Sequence, residues 1–315
     1  MRRLRKPLLV AFAVTALLGV GVGVAFAAFS ATTANPSNTF SAAPDFVPPS
    51  ATSVIMRNGA TVPGFLKAGL TYYAYANVTD TGNPASGVLS ATADLSILTA
   101  GETARTMSTV GGPWTVAGTS YTRRSSAVLT SGGGLSAGAK AYTLNMADNA
   151  SNSQVQAGFS VTIDNPAPTA TDVQTTNHAG GTAGKLEALD TIIYTFSEGV
   201  EPGSILGGWD GTATTISAGI ANQGASDDFT TPATNLGPVD LAANYAGGNR
   251  TIPNSTMVMS GNTVTITLGT PSGGTNTIAA NTLMTWSPTA TIVDYAGNAM
   301  STTARAETGP ADKDF

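Results

Sequence analysis

The chain has 315 residues, of which 10% are charged, and it contains 14 Lys and Arg, 19 Asp and Glu, one His and no Cys. Basic side chains this few and this scattered are poorly suited to neutralising nucleic-acid phosphates or anionic lipid headgroups, so we expect no nucleic-acid partner. The lack of cysteine excludes thiol nucleophiles, thiolate metal sites and disulfides, and it implies domains large enough to bury a core unaided.

Residues 1–27 are predicted to be a secretory signal peptide. Four basic side chains lie before residue 7, an uncharged stretch follows, and Ala25-Phe26-Ala27 supplies the small-x-small pattern at which signal peptides are cleaved. The alternative is a retained membrane anchor, because residues 7–29 are uncharged and long enough to cross a bilayer. We expect a secreted, extracellular protein, free or at the cell surface, that meets a membrane only through this segment. Cleavage leaves 10 basic and 19 acidic side chains, a net charge of −9.

A low-complexity stem is predicted for residues 28–46, which are rich in Ser, Thr, Ala and Asn. Residues 29–30 (Phe-Ser) and 38–42 (Asn-Thr-Phe-Ser-Ala) resemble the segment that follows the cleavage site in exported fibre proteins of Gram-positive biofilm matrices. The resemblance implies a fibre subunit whose stem donates a strand to a neighbouring copy. An ordinary flexible stem is the alternative.

From residue 47 onward the chain repeats itself. Residues 51–54 (Ala-Thr-Ser-Val) recur as 170–173 (Ala-Thr-Asp-Val), an offset of 119 residues, and loops that begin at Asp148 and Asp294 are offset by 146. Matched segments in the same order indicate a duplicated domain. The expected organisation is a first domain at 47–165, a second domain with a longer mid-domain insertion at 166–305, and a polar tail at 306–315.

Alternation of apolar and polar residues, without helical periodicity, predicts strands in both copies. Ile192, Tyr194 and Phe196, for example, share one face of an expected strand. Many short strands between Gly- and Asn-rich turns indicate β-sandwiches rather than a parallel α/β sheet. Pro166 and Pro168 stiffen the link between the copies, so we expect two tandem sandwiches placed end to end.

Short motifs mark the ends of both copies. Residues 148–152 and 294–298 read Asp-Asn-Ala-Ser-Asn and Asp-Tyr-Ala-Gly-Asn, residues 161–164 read Val-Thr-Ile-Asp, and residues 194–200 read Tyr-Thr-Phe-Ser-Glu-Gly-Val. These segments resemble bacterial immunoglobulin-like domains of the S-layer and adhesin type. The resemblance implies an all-β fold of two tandem Ig-like β-sandwich domains, and a role as spacer, adhesive module or array component.

Oxygen-bearing side chains at the first closing loop and at the linker make calcium a candidate ligand, because calcium takes six to eight oxygen ligands. The candidate ligands are Asp148, Asn149, Asn152 and Asp164, and the loop at 294–298 offers similar chemistry more weakly. The same pattern also forms a turn unaided, since Asp accepts hydrogen bonds from the backbone ahead of it. A plain turn, with no cofactor, is the favoured interpretation.

Two outward tyrosines are candidates for binding a partner. Tyr73 and Tyr75 are predicted to share the outer face of a strand, where they would stack on a sugar or dock a protein, and Trp209 begins the insertion of the second copy. The alternative is that the tyrosines pair with neighbours across the sheet. A carbohydrate- or cell-wall-binding module requires these aromatic side chains to form an exposed planar platform.

Catalysis is not expected. His178 lies in an Asn-His-Ala-Gly-Gly turn, and the sequence has no nucleophile elbow, zinc-binding helix or phosphate loop. Glu198 and Glu201 are candidates for a glycoside-hydrolysing carboxylate pair by residue type only, because Gly199 and Pro202 beside them indicate a plain turn. We therefore expect a non-catalytic, secreted bacterial cell-surface or extracellular-matrix protein with a structural or adhesive role. Its expected partners are other surface or matrix proteins or glycans. The alternatives are a carbohydrate- or cell-wall-binding module and a fibre-forming biofilm-matrix subunit.

Overall fold

A computed structural model describes residues 45–315, so the predicted signal peptide and nearly all of the predicted stem lie outside the described residues. Across residues 45–315 the structure consists of twenty strands and one four-residue helix. The expected all-β fold is confirmed, and the strands form two large sheets, one after the other along the chain. No helix in that range is long and apolar enough to cross a membrane.

The first domain is a curved nine-stranded sheet with a small hairpin beside it. Its strands are β1 (Ser50–Arg57), β2 (Phe65–Leu66), β3 (Thr71–Thr79), β4 (Val88–Asp94), β5 (Arg105–Ser108), β6 (Trp114–Val116), β7 (Thr119–Tyr121), β8 (Arg123–Ser125), β9 (Leu129–Thr130), β10 (Gly138–Asp148) and β11 (Ser153–Ile163). Neighbours follow the order β1-β3-β8-β5-β4-β10-β11-β2, with β9 beside β3, while β6 and β7 form the hairpin. Because β5 pairs with both β4 and β8, it joins the two halves of the sheet.

The second domain consists of a nine-stranded sheet and the only helix of the described chain. Its elements are β12 (Ala170–Thr176), β13 (Thr191–Phe196), α1 (Pro202–Ile205), β14 (Thr214–Asn222), β15 (Asp227–Thr230), β16 (Val239–Asp240), β17 (Arg250–Ser260), β18 (Thr263–Thr267), β19 (Thr285–Trp286) and β20 (Arg305–Ala306). They follow the order β12-β13-β18-β17-β14-β15-β16-β19-β20. The stretch expected to be an insertion supplies β14, β15 and β16, and it is therefore built into the sheet.

Side chains close each sheet where its edge strands approach each other. In the first domain, Gln156 of β11 accepts the Ala51 N–H and donates to the Ala51 carbonyl, both at 2.7 Å, as a neighbouring strand would. In the second domain, Arg305 of β20 donates Nε–H to the Thr171 carbonyl of β12 at 2.8 Å. These bonds satisfy backbone groups that would otherwise template pairing with another chain.

The predicted alternation places large apolar side chains inside each sheet. On β13, Ile192, Tyr194 and Phe196 are all 0% exposed, while the residues between them are half-buried. The rings of Tyr194 and Phe196 pack edge-on against Trp286 of β19 at centroid distances of 5.0 and 5.2 Å. The Trp286 indole N–H donates to the Leu236 carbonyl at 2.7 Å, so this large side chain is buried without an unsatisfied donor.

The stretch expected to be a polar tail packs against the second domain. Phe315 is 1% exposed, and its ring meets the Tyr245 ring at 5.5 Å. The Tyr245 hydroxyl donates to the Asp314 carbonyl at 2.8 Å, and the Gly184 N–H donates to the Phe315 carbonyl at 2.8 Å. An aromatic side chain and backbone hydrogen bonds therefore join the end of this polar stretch to the domain core.

Candidate functional site

The repeated loop forms the same corner in both domains. In the first, Asp148 accepts the Asn152 backbone N–H at Oδ1 (2.8 Å) and the Asn152 side-chain amide at Oδ2 (2.7 Å). In the second, Asp294 accepts the same two bonds from Asn298 at 2.8 and 2.7 Å. A buried Asp that accepts from the backbone four residues on fixes the turn locally. The favoured sequence interpretation, a turn, therefore describes the local geometry of both loops.

Each corner also fastens the chain segment that enters its own domain. The Asn152 side-chain amide donates to the Asp45 carbonyl at 2.8 Å, and the Asn298 amide donates to the Asp164 carbonyl at 2.9 Å. Asp45 and Asp164 are 119 residues apart, the same offset as the start of the sequence repeat. The corner is thus a duplicated device that joins the end of a domain to its entrance.

Three carboxylates gather at each corner. Oxygen atoms of Asp45, Asp80 and Asp148 lie within 4.8 Å of one another, and so do those of Asp164, Glu198 and Asp294. The third members occupy equivalent places, because Asp80 follows β3 and Glu198 lies two residues after β13. Both clusters consist of hard oxygen donors, the ligand type that calcium prefers.

The four residues proposed as one calcium site do not come together as expected. Asp148 belongs to the first cluster and Asp164 to the second, because Asp164 follows β11 and enters the next domain. Asn152 lies at the first corner. Asn149 turns its side-chain amide to the carbonyls of Ser86 and Gly87, at 2.8 and 3.1 Å, and so braces a neighbouring loop.

The two clusters differ in how their carboxylates are satisfied. In the first, Asp45 accepts backbone N–H groups of Val47 and Ser86, at 3.0 and 2.9 Å, and these bonds lower its pKa. Asp80 accepts backbone N–H groups of Gly82 and Gly87, at 3.2 and 2.6 Å. Backbone donors therefore already occupy carboxylate oxygens of the first cluster.

In the second cluster Asp294 accepts backbone N–H groups of Gly297 and Asn298, at 2.6 and 2.8 Å, but the other two carboxylates lack such donors. Among residues 45–315, no N–H group donates to the side-chain oxygens of Asp164 or Glu198 in the hydrogen-bond network. Burial, followed by the charges of Asp164 and Asp294, raises the pKa of Glu198 to about 7. The Asn298 side-chain oxygen is also buried without a hydrogen-bond partner. The sequence favoured the first loop as the calcium site. The second cluster is the better candidate in the structure, because more of its buried oxygen atoms lack hydrogen-bond donors.

The second corner lies against the first domain. The Ala296 carbonyl accepts the Lys67 N–H at 3.0 Å. Beside it, Glu201, which is 4% exposed, accepts the Thr61 N–H at 2.8 Å and the Thr61 hydroxyl through Oε1. Its Oε2 lies 3.9 Å from Nη2 of Arg57. Glu201, a weak catalytic candidate by residue type, is therefore a buried link between the domains.

Further contacts tie the linker and the aromatic rings into the same junction. The Asn165 side chain accepts the Ala68 N–H at 3.0 Å and donates to the Leu135 carbonyl at 2.9 Å. The rings of Phe65 and Tyr295 lie 5.8 Å apart. The hydrogen bonds involve the linker and the ring contact involves the corner. Together they restrain the junction on several sides.

The predicted partner-binding aromatic residues are used for packing. Tyr75 is 6% exposed and packs against the Tyr121 ring at 6.1 Å. The Arg124 guanidinium lies over Tyr73 at 4.1 Å and over Trp114 at 4.8 Å, so it covers the half-buried Tyr73. Trp209 is also 6% exposed, and its indole N–H donates to the Thr212 carbonyl. These residues do not form an exposed platform.

The single histidine braces a loop. His178 Nδ1 lies 2.8 Å from Oδ1 of Asp190, which is 0% exposed. The same carboxylate accepts the backbone N–H groups of His178 (2.9 Å) and Glu187 (2.6 Å). Three bonds to one buried carboxylate explain why this turn keeps its shape.

Sequence reasoning missed Asp45 and Asp80, and it considered Glu198 only as a catalytic carboxylate. The missed signal was available, because Asp45 lies 119 residues before Asp164, at the same offset as residues 51–54 and 170–173. No protein-family model and no curated protein matches this chain. The resemblance to bacterial immunoglobulin-like domains therefore stays a prediction from the sequence motifs.

Gly297 is predicted to be required for the close approach of the two domains. Its φ is +98°, and a Cβ at this position would lie 2.7 Å from Leu70 and 2.8 Å from Arg57 of the first domain. Gly297→Ala should therefore add an overpacking penalty of about 1–3 kcal/mol to a left-handed backbone penalty of about 1–2 kcal/mol. Denaturant unfolding measures the sum.

Gly180→Ala is the matched control, because Gly180 has a φ of +89° and no atom lies within 4 Å of the place that an added methyl group would take. It should show the backbone penalty alone. Equal destabilisation by the two substitutions would contradict a steric role for Gly297 at the junction.

The raised pKa of Glu198 predicts a pH-dependent stability. A carboxyl whose pKa rises from 4.5 to about 7 on folding contributes stability that is full below pH 4.5 and is lost as pH rises through 7. With a chelator present, the wild type should lose more unfolding free energy between pH 5 and pH 8 than Glu198→Gln does. Urea titrations at both pH values test this, and parallel losses would refute it.

Proposed function

We propose that this protein is a secreted bacterial cell-surface or extracellular-matrix component that acts as a non-catalytic structural or adhesive spacer built of Ig-like modules. The observation that carries the proposal is the junction between the domains. A spacer that presents a distant surface benefits from fixed geometry, since a flexible link lets neighbouring modules fold back. Partners would be other surface or matrix proteins or glycans.

Several kinds of contact support a fixed junction. Glu201 joins Thr61 by two hydrogen bonds in a buried setting, and losing one partner of such a group leaves an uncompensated buried charge. Lys67 and Asn165 add backbone-directed bonds on another side. The corner loop Asp294–Asn298 therefore acts both as the end of one domain and as a contact for the other.

The surface composition also fits an extracellular structural role. After residue 27 the chain has 10 basic and 19 acidic side chains among abundant Thr, Ser, Gly and Asn. A polar surface with modest net negative charge favours solubility outside the cell and disfavours binding to nucleic acid or anionic lipid. The packed positions of Tyr75 and Trp209 give the carbohydrate-module alternative no aromatic platform at those residues.

Cell fractionation of the native producer tests the proposal. An antiserum to the folded chain should detect the protein in the culture medium or the surface fraction, with a cytoplasmic enzyme as marker of lysis. Cells lacking the protein should attach less well to surfaces or to each other, and re-expression should restore attachment. Retention of the protein with the cytoplasmic marker would overturn the proposal.

Calcium at the second corner is part of this proposal. The ligand chemistry supports it, because three carboxylates offer oxygen atoms and two of them lack N–H donors within residues 45–315. The Asn298 side-chain oxygen is also buried without a hydrogen-bond partner. A bound calcium ion would join Asp164 of the linker to Asp294 of the corner and so strengthen the junction.

Added calcium is therefore expected to stabilise the chain. At a concentration 100-fold above Kd, a single site contributes about 2.7 kcal/mol. Glu198→Gln should weaken calcium binding at least tenfold. Asp80→Asn at the equivalent first corner should have the smaller effect, because backbone N–H groups already satisfy Asp80. Isothermal titration calorimetry compares them, and unchanged affinity in Glu198→Gln would exclude this site.

A further inference from the structure

Residues 305–315 cross the second domain as a bound strap, which we call the 305–315 segment. Arg305 and Ala306 form β20 and pair with β19. Further on, Thr282 and Asp312 exchange two backbone hydrogen bonds, of 2.8 and 3.2 Å. The buried Phe315 ring anchors the segment against Tyr245. The segment is thus held at three separate points.

This path brings three carboxylates together, away from both corners. Oxygen atoms of Glu307, Asp312 and Asp314 lie within 4.8 Å of one another. Lys313 does not compensate them, because successive residues of an extended chain point to opposite sides. Its Cδ lies beside Gly184 instead. Within residues 45–315, no Lys, Arg or His forms a salt bridge with any of the three.

Two of these carboxylates are deeply buried. Glu307 is 7% exposed, and its Oε1 is buried without a hydrogen-bond partner. Asp314 is 1% exposed, and its two oxygens receive long contacts of 3.4 Å from the hydroxyls of Thr175 and Thr282. Its carboxyl group also lies within hydrogen-bonding reach of the Glu307 carboxyl group. Buried carboxylates normally have strong donors or a cation, so an unpartnered oxygen beside two further acids offers a bound cation a ligand that no other group already satisfies.

We propose that Glu307, Asp312 and Asp314 bind a calcium ion that fastens the 305–315 segment to the second domain. All the candidate ligands are oxygen atoms, which suits a hard divalent cation, whereas zinc sites favour nitrogen and sulfur. Asp312 is exposed and provides an entry path and room for coordinating water. Calcium is favoured over magnesium because it tolerates the irregular geometry of three unequally exposed carboxylates.

Calcium binding would determine how firmly the 305–315 segment is attached to the second domain. With calcium present, the three negative charges attract a shared ion and hold the segment in place. Without it, they repel one another, and the segment should detach more readily and expose Phe315 and Tyr245. The site is independent of the corner cluster, because it shares none of its residues.

Terbium luminescence on the full exported chain tests the proposal, because Tb³⁺ replaces Ca²⁺ and accepts energy from a nearby tyrosine. The Tyr245 hydroxyl donates to the Asp314 carbonyl at 2.8 Å, so Tyr245 is close to the site. In a Glu198→Gln background, which removes the corner site, Glu307→Gln and Asp312→Asn should each weaken the calcium-competed terbium signal at least tenfold. Asp240→Asn, an exposed acid on β16, is the control and should leave the signal unchanged.

Two further measurements keep the result decisive. Tyr245→Phe should reduce the emission while leaving calcium affinity by calorimetry unchanged, which separates sensitisation from binding. Asp312 is exposed, so its Asn variant should fold even if Glu307→Gln does not. Calcium affinity and terbium emission that are equal in wild type and Asp312→Asn would overturn the proposal. Loss of signal in Glu198→Gln alone would assign the ion to the corner instead.

Discussion

The structure depends on the hydrogen bonds between one Asp and one Asn, made twice. Asp148 and Asp294 each accept two bonds from the Asn four residues later, and that Asn donates to the carbonyl of the segment entering the domain. The four-residue spacing closes the turn, and the side-chain amide extends it to a distant part of the chain. A local motif therefore fixes a long-range contact, of 107 residues in the first copy and 134 in the second.

The two corners share one motif and have different surroundings. The first corner is satisfied by backbone donors around Asp45 and Asp80. The second packs on the neighbouring domain, where a Cβ at Gly297 would lie 2.7 Å from the Leu70 side chain and 2.8 Å from that of Arg57. Ser151, at the matching place in the first corner, adopts a φ of +72° and is exposed. The motif thus closes the first domain at the first corner, whereas at the second corner it also contacts the neighbouring domain.

The fold was predictable from the sequence, because alternation and turn chemistry are local signals. Ile192, Tyr194 and Phe196 are buried on one face, as their spacing predicts. The candidate sites were harder, because a carboxylate cluster depends on which strand ends meet. Asp148 and Asp164 are near each other in sequence and lie in different clusters. Tyr75 is covered by the β6–β7 hairpin, which lies more than thirty residues further along the chain. The burial of Phe315 could not be predicted, because the composition of residues 306–315 is that of a polar tail and gives no sign that its one aromatic side chain packs on the domain.

We expect the second corner to hold the two domains in one fixed arrangement. Because the chain contains no Cys, spin labels can be placed by Val110→Cys in the first domain and Leu283→Cys in the second, at side chains that are 84% and 41% exposed. Double electron–electron resonance should then give one narrow distance distribution. Asn298→Ala should broaden it, while Asn152→Ala, the same change at the corner that does not join the domains, should leave it narrow. A broad distribution in the otherwise unchanged chain, or one that Asn298→Ala does not alter, would contradict a junction fixed by the second corner.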